Sequence, residues 1–236
     1  MEIKEIRINK YLSEAGVCSR READRLVEKG KVFIDGKLAE TGAKVGPGQV
    51  VVVDGKEVRP VEKEVVLIFN KPKGIVCTAE KREKDNVIDY LNYPTRIYPV
   101  GRLDKESHGL LLLTNQGDLT NEILKASNYH EKEYVVRVNK PITGQFLMHM
   151  EKGVYLSELD KTTAPCQVKK IDDKTFSIIL TQGLNRQIRR MCRELDYHVR
   201  DLKRIRIMDF TLDGIEEGAY RTLSQKEISD LKKKLL

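Results

Sequence analysis

Apolar positions along this chain change period several times, and each change predicts an element. In Ser19-Arg20-Arg21-Glu22 a hydroxyl and a carboxylate stand three residues apart, the spacing that satisfies reciprocal N–H groups at a helix start. Ala23, Leu26 and Val27 follow at i, i+3 and i+4, while Arg21, Arg25 and Lys29 recur every four residues on the other side. The pattern predicts a helix reaching Lys29, with one core face and one cationic face. Gly30 is placed to end it, and residues 31–37 predict a strand entering a tight Asp35-Gly36 turn. After Gly46-Pro47-Gly48, residues 50–56 predict a second strand with its own Asp54-Gly55 turn. Residues 57–63, with Arg59-Pro60 among them, read as a linker.

Beyond Glu64 strand-like and helix-like segments alternate too irregularly for a doubly wound parallel sheet. Strands are predicted over 65–69, 110–113, 134–138, 176–180 and 205–210. Helices are predicted over 118–125, 144–152 and 186–195, with a C-terminal one opened by the capping box Ser224-Gln225-Lys226-Glu227. The expected fold class is α+β: a small module over residues 1–60, then a larger domain over 61–236 built on a mixed or antiparallel sheet.

Composition narrows the class further. The chain has 236 residues, with 43 Lys and Arg against 36 Asp and Glu, a formal charge of +7. No apolar run approaches the roughly 18–20 residues that span a bilayer, so no membrane partner is expected. The charged opening Met1-Glu2-Ile3-Lys4-Glu5-Ile6-Arg7 is unlike a secretory segment, and a cytoplasmic location is expected. Cys18, Cys77, Cys166 and Cys192 include no C-x-x-C and no paired His spacing, so neither a disulfide framework nor a structural zinc site is suggested. Locating the positive charge changes its meaning: eight basic and three acidic side chains lie between Gln182 and Arg206. There Ile188, Met191, Cys192 and Leu195 form an apolar stripe, and Arg186, Arg189, Arg190 and Arg193 repeat the spacing half a turn away. Solvated charged faces are usually Lys–Glu mixtures; a row of arginines suits bidentate phosphate recognition. Nucleic acid is therefore the expected partner.

Asp104 is a short carboxylate between Arg102 and Lys105, neighbours that favour its ionised, nucleophilic form. Taken alone, an Asp in such a setting is more often a surface ion pair. Its context says more. Residues 7–12, Ser19-Arg20-Arg21-Glu22-Ala23 and the run from Gly30 to Lys37 resemble the S4 RNA-binding domain. The rest resembles the RsuA-type ribosomal RNA pseudouridine synthases, through Lys71-Pro72-x-Gly74, Pro99-Val100-Gly101-Arg102-Leu103-Asp104, Ser107-x-Gly109-Leu110-Leu111-Leu112-Leu113-Thr114-Asn115-x-Gly117, Lys132-x-Tyr134 and Asn185-Arg186-Gln187-Ile188-Arg189-Arg190-Met191. Within that family the last segment is most similar to the RluF branch, which acts on 23S rRNA.

The resemblance implies an isomerase in which Asp104 attacks a flipped uridine, the glycosidic bond breaks, and the base rejoins through carbon 5. It implies that Arg189 pairs with Asp104, where some members carry Lys, and that Tyr134 stacks on the uracil and assists proton removal from carbon 5. RNA contacts are expected from Arg102, Leu103 and Lys105 beside the nucleophile, with Arg102 entering the gap left by base flipping. Others are expected from Leu184, Asn185, Arg186, Gln187 and Arg190, and from Arg20, Arg21 and Arg25 in the N-terminal module. No cofactor and no metal are implied; the partner is ribosomal RNA, with tRNA a second candidate, and a monomer is expected. His108 receives no role from the resemblance. Two alternatives stay open: a catalytically silent RNA-binding assembly factor, which would yield no isomerised product, and a base glycosylase, which would release free uracil.

Phosphate contacts position RNA without doing chemistry, so Arg21→Ala combined with Arg25→Ala is expected to weaken RNA capture while sparing turnover at saturating RNA. Filter binding across a salt series checks this; an unchanged affinity would remove the RNA-gripping role of that helix.

Overall fold

A computed structural model describes residues 5–61, 63–80, 82–125 and 129–235. The chain divides into two compact units. One comprises Met1–Glu64 with Pro94–Arg96 and Asn115–Gly117; the other comprises Val65–Tyr93, Ile97–Thr114 and Asp118–Leu236. Among the described residues no helix is long and apolar enough to cross a membrane.

The first unit runs β1 (Ile6–Arg7), α1 (Ile8–Glu14), α2 (Arg20–Glu28), β2 (Val32–Ile34), β3 (Lys37–Leu38), β4 (Lys44–Val45), β5 (Val51–Val53) and β6 (Lys56–Val58). Ser19 caps α2 by accepting from Glu22 N–H at 3.2 Å, and Ala23 and Val27 face a core shared with Ile8, Leu12, Val32 and Val51. Each fully buried aliphatic side chain contributes roughly 1.5–3 kcal/mol to holding so small a unit together. On the outer side Arg20, Arg21 and Arg25 are exposed, with Arg25 paired to Glu22 at 3.1 Å. The two Asp-Gly turns form as predicted, with both members of each pair left-handed, so the right-handed twist of β2–β3 and of β5–β6 continues through them. The stretch 57–63 is a linker only in part. Glu57 and Val58 complete β6 against β5, because the Asp54-Gly55 turn needs a returning strand, and Glu62 lies outside the described residues.

The second unit contains β7 (Val66–Lys71), α3 (Val87–Leu91), β8 (Tyr98–Val100), β9 (His108–Thr114), α4 (Gly117–Leu124), β10 (Lys132–Val138) and α5 (Gly144–Lys152). It continues with β11 (Tyr155–Leu156), β12 (Lys161–Thr162), β13 (Gln167–Lys170), β14 (Thr175–Leu180), α6 (Gln187–Glu194), β15 (Val199–Ile207), β16 (Phe210–Thr211), β17 (Tyr220–Thr222) and α7 (Gln225–Leu235). Its sheet has the order β13-β14-β10-β15-β9-β7-β17, with β8 on β9 and β16 on β15. All described pairings are antiparallel except β9 with β15. The predicted strand over 205–210 is thus corrected: β15 starts at Val199, and a turn with left-handed Met208 separates it from β16.

Strands β7 and β9 are buried on both faces, which explains their unbroken apolar runs. Val66, Ile68, Leu110 and Leu112 meet Ile123 of α4 and Ile228 and Leu231 of α7; Leu67, Phe69, Leu111 and Leu113 meet Val87, Ile97 and Leu103 on the other side. A third cluster joins β10 and β14 to α5 and α6 through Val136, Phe176, Ile178, Phe146, Ile188 and Met191.

The parallel β9–β15 contact is close. A Cβ on Gly109 would lie 2.2 Å from the Arg204 carbonyl oxygen, and Gly109 has φ +99°. Only glycine fits there. Gly109→Ala is expected to lower unfolding free energy by roughly 2–4 kcal/mol. Urea denaturation reads the loss, and a midpoint equal to wild type would show that the two strands can separate at no cost.

Candidate active site

Asp104 sits in the loop 101–107 between β8 and β9, and this loop is tied down by its own backbone. Ser107 N–H donates to the Asp104 carbonyl at 3.0 Å, Gly74 N–H to the Lys105 carbonyl at 2.8 Å, and Leu103 N–H to Cys77 Sγ at 3.3 Å. Beneath it lies Lys71, wholly buried. Its ammonium donates to the carbonyl oxygens of Ser107 at 2.8 Å, Pro72 at 2.9 Å and Asp104 at 3.4 Å. Burial pushes the Lys71 pKa down from the usual lysine value, while Cys77, Glu106 and Asp104 oppose that shift. Burial likewise raises the Cys77 thiol.

The Asp104 carboxylate emerges half-buried. Arg189, the third residue of α6, donates from Nε to its Oδ2 at 3.3 Å and from Nη2 to Ser107 Oγ at 3.0 Å. Arg186 Nη1 stands 3.8 Å from the same Oδ2. Arg186 precedes α6 in a left-handed conformation (φ 51°, ψ 34°), which for a non-glycine residue costs about 1–2 kcal/mol. Backbone strain is thus stored beside the nucleophile candidate.

Tyr134 joins the group through the sheet. Register places Lys71, Gly109, Arg204 and Tyr134 in one row across β7, β9, β15 and β10. A bulge between Glu133 and Tyr134 skips Ile205 and brings Arg204 opposite Tyr134, with the guanidinium carbon 5.9 Å from the ring centroid. Asp104, Arg102, Tyr134, Lys132 and Arg186 line one cleft of about 930 Å³, near the upper end of small-molecule sites. Among the described residues no group of three or more His, Cys, Asp and Glu side chains could hold a metal ion.

The structure therefore brings Asp104, Arg189, Arg186, Arg102 and Tyr134 together, and it corrects other expectations. The arginine row of α6 is not a free cationic face. Glu158, from the turn between β11 and β12, takes both Arg190 and Arg193, and Arg190 also donates to the Asn185 carbonyl at 2.9 Å. Gln187, expected at RNA, is buried: its Oε1 accepts from Leu184 N–H at 3.0 Å and its Nε2 donates to Gln182. Leu103 is buried too, packed in the cluster with Leu67 and Phe69, so it holds the loop from inside. Asn185, Arg102 and Lys105 are exposed, and Leu184 is half-buried at the cleft wall. Arg20, Arg21 and Arg25 belong to the other unit. His108 opens β9 with Nε2 3.1 Å from Asp201 and Nδ1 3.3 Å from Glu217, bonded away from Asp104.

Sequence reasoning gave no role to Lys71, Ser107, Lys132 or Arg204. The signal for Lys71 was a lysine closing a strand that is otherwise wholly apolar from Val65 to Phe69. For Arg204, nothing in the local pattern separates it from Arg200, Lys203 and Arg206 around it.

Comparison with known proteins places the chain among relatives of one family. The RNA pseudouridylate synthase family matches residues 65–194, and the S4 domain matches residues 6–51. The chain is 52% identical over 228 residues to the dual-specificity RNA pseudouridine synthase RluF of Escherichia coli, covering 96% of this chain and 78% of that protein. It is 35% identical to the ribosomal large subunit pseudouridine synthase B of Bacillus subtilis, covering 96% and 95%. A crystal structure of a pseudouridylate synthase superposes with a TM-score of 0.70 at 26% identity, over 96% of this chain and 99% of that one.

Replacing Lys71 by Met would leave three carbonyl oxygens of the Asp104 loop without their charged donor. Lys71→Met is expected to lose roughly 2–4 kcal/mol of stability. Chemical denaturation measures it, and an unshifted midpoint would mean that other contacts hold the loop.

Proposed function

Because the chain belongs to the RNA pseudouridylate synthase family, we propose that it converts a uridine of 23S ribosomal RNA to pseudouridine with Asp104 as the nucleophile. The observation that carries this reading is the Asp104–Arg189 pair, joined across 85 residues of sequence and lining, with Tyr134, one pocket that adjoins the larger cleft. A guanidinium donating to one carboxylate oxygen favours the charged form and aims the other oxygen at an incoming sugar carbon. Attack of an Asp104 oxygen at C1′ displaces N1 with the bonding pair, the base turns within the cleft, and C5 then bonds to C1′ as the Asp104 oxygen departs with its own pair. The two chemical steps exchange one glycosidic bond for another, so beyond the nucleophile and the acceptor of the C5 proton the chain's residues need only hold, orient and exclude water, which would otherwise leave an abasic site.

Tyr134 offers the uracil a ring to stack on and a hydroxyl for the C5 proton. Arg102, exposed at the cleft and two residues before Asp104, enters the space that the flipped nucleotide leaves in the RNA stack. The exposed Arg20, Arg21 and Arg25 of α2 supply backbone grip, which is sensitive to salt. The 23S assignment is supported by a relative named for the large ribosomal subunit, and a second RNA substrate by one named for dual specificity. We place the enzyme in the cytoplasm as a monomer, with ribosomal RNA as substrate and tRNA as a candidate second one.

Wild-type protein incubated with unmodified 23S, 16S and tRNA pools is expected to introduce pseudouridine into 23S rRNA, mapped by carbodiimide-based primer extension. Asp104→Ala should introduce none. Identical maps from the two proteins would refute the nucleophile assignment, and product confined to 16S or tRNA would overturn the choice of substrate.

A further inference from the structure

Two cations without a task in the steps above line the same cleft. Lys132 lies two residues before Tyr134 on β10, an alternation that puts both side chains on one face of the sheet. Its ammonium donates to the His130 carbonyl at 3.1 Å, and burial followed by repulsion from Arg204 pushes its pKa down from the lysine value. Arg204 is 3% exposed; its Nε donates to the Leu110 carbonyl at 2.7 Å, while its buried Nη2 has no hydrogen-bond partner among the described residues. Two like charges held in a largely buried wall, one with an unused donor, disfavour the empty cleft. A bound anion relieves both terms.

Phosphates of the RNA backbone are one source of negative charge, but the reaction itself creates another at this depth. We infer that Lys132, backed by Arg204, holds the negative charge of the uracil once it is detached, an inference that rests on the isomerase reading above. When the C1′–N1 bond breaks, its electron pair leaves with N1 and spreads over N1, O2 and O4, while an Asp104 oxygen bonds to C1′. After the base turns, a pair from C5 forms the new bond to C1′ and the Asp104 oxygen departs with its own pair. The C5 hydrogen leaves as a proton through the Tyr134 hydroxyl to solvent, and N1 takes one proton from solvent, so substrate and product are isomers. An ammonium suits the middle of this sequence because it is a point charge with three equivalent donors. It follows an anion through a rotation, where a planar guanidinium would favour one orientation.

The test uses the full protein and an unmodified 23S rRNA transcript under single-turnover conditions at saturating enzyme. Lys132→Met is expected to slow pseudouridine formation about a hundredfold, the scale of losing one donor to a developing anion. RNA affinity should stay within about threefold, and escaped base should appear as free uracil with aniline-cleavable abasic RNA. Lys132→Gln keeps a donor for the His130 carbonyl and should show the same rate loss, which guards against a folding defect in the Met variant. Lys132→Arg should retain the base, giving slower turnover and no abasic RNA. A folded Lys132→Met or Lys132→Gln with the wild-type rate would overturn the inference, as would a loss confined to RNA affinity, which would make Lys132 a phosphate contact. Asp104→Ala runs in parallel. If that variant still isomerises, the isomerase mechanism itself fails; if it is silent while the Lys132 variants run at full rate, only the role of Lys132 fails.

Discussion

A buried ammonium must be met by oxygen, and in this protein the oxygens come from the loop that carries the chemistry. Lys71 is out of contact with water, and its carbonyl partners belong to Pro72, Asp104 and Ser107. Because carbonyl oxygens are poor substitutes for water around a full charge, the loop has little freedom to move away from the lysine. The side chain of Asp104 is left to be oriented by Arg189, which grips Ser107 in the same gesture. Backbone and side chain of the nucleophile candidate are therefore fixed by two different cations, one from the sheet and one from a helix.

Much of the positive charge between Gln182 and Arg206 is paired or buried within the protein. The cationic segment from Gln182 to Arg206 reads as a surface for RNA, yet Arg189 serves Asp104, Arg190 and Arg193 serve Glu158, and Arg206 is held by Glu131 and Glu133 at 2.9 Å each. Arg204 is inside the sheet. Arg186, just before α6, keeps an exposed side chain at the cleft, and it holds that position in a left-handed backbone. Affinity for a polyanion then rests on fewer cations of this segment than its charge suggests.

Local rules made the N-terminal unit legible. Its turns need left-handed Asp-Gly pairs, its helix start needs a hydroxyl and a carboxylate three apart, and both signals act within a few residues. The C-terminal capping box is equally local, with Ser224 and Glu227 bonded in both directions and the Glu227 carboxyl held down to about 2. The motif order made Asp104, Tyr134 and Arg189 legible as a group. What stayed hidden depends on distant partners: Glu158 is too far along the chain to appear in a charge pattern around Arg190. The bulge that sets Arg204 opposite Tyr134 exists only once β10 and β15 are paired. Gln187 lies in a polar string and is buried because its amide closes the turn at Leu184.

The strand order carries a consequence for how the molecule is made. β15 lies between β9 and β10, so two segments that leave the ribosome early wait with unpaired edges for one that leaves late. Contacts between residues nearly a hundred positions apart are slow to form and costly in loop entropy. Until Val199–Ile207 arrives, the leucine-rich β9 and the edge of β10 are open to pairing with other chains, and no strand joins the sheet beside Asp104 to the one that carries Tyr134. Whatever shields β9 until that late segment is made then bears on the yield of folded protein, alongside the stability of the finished fold.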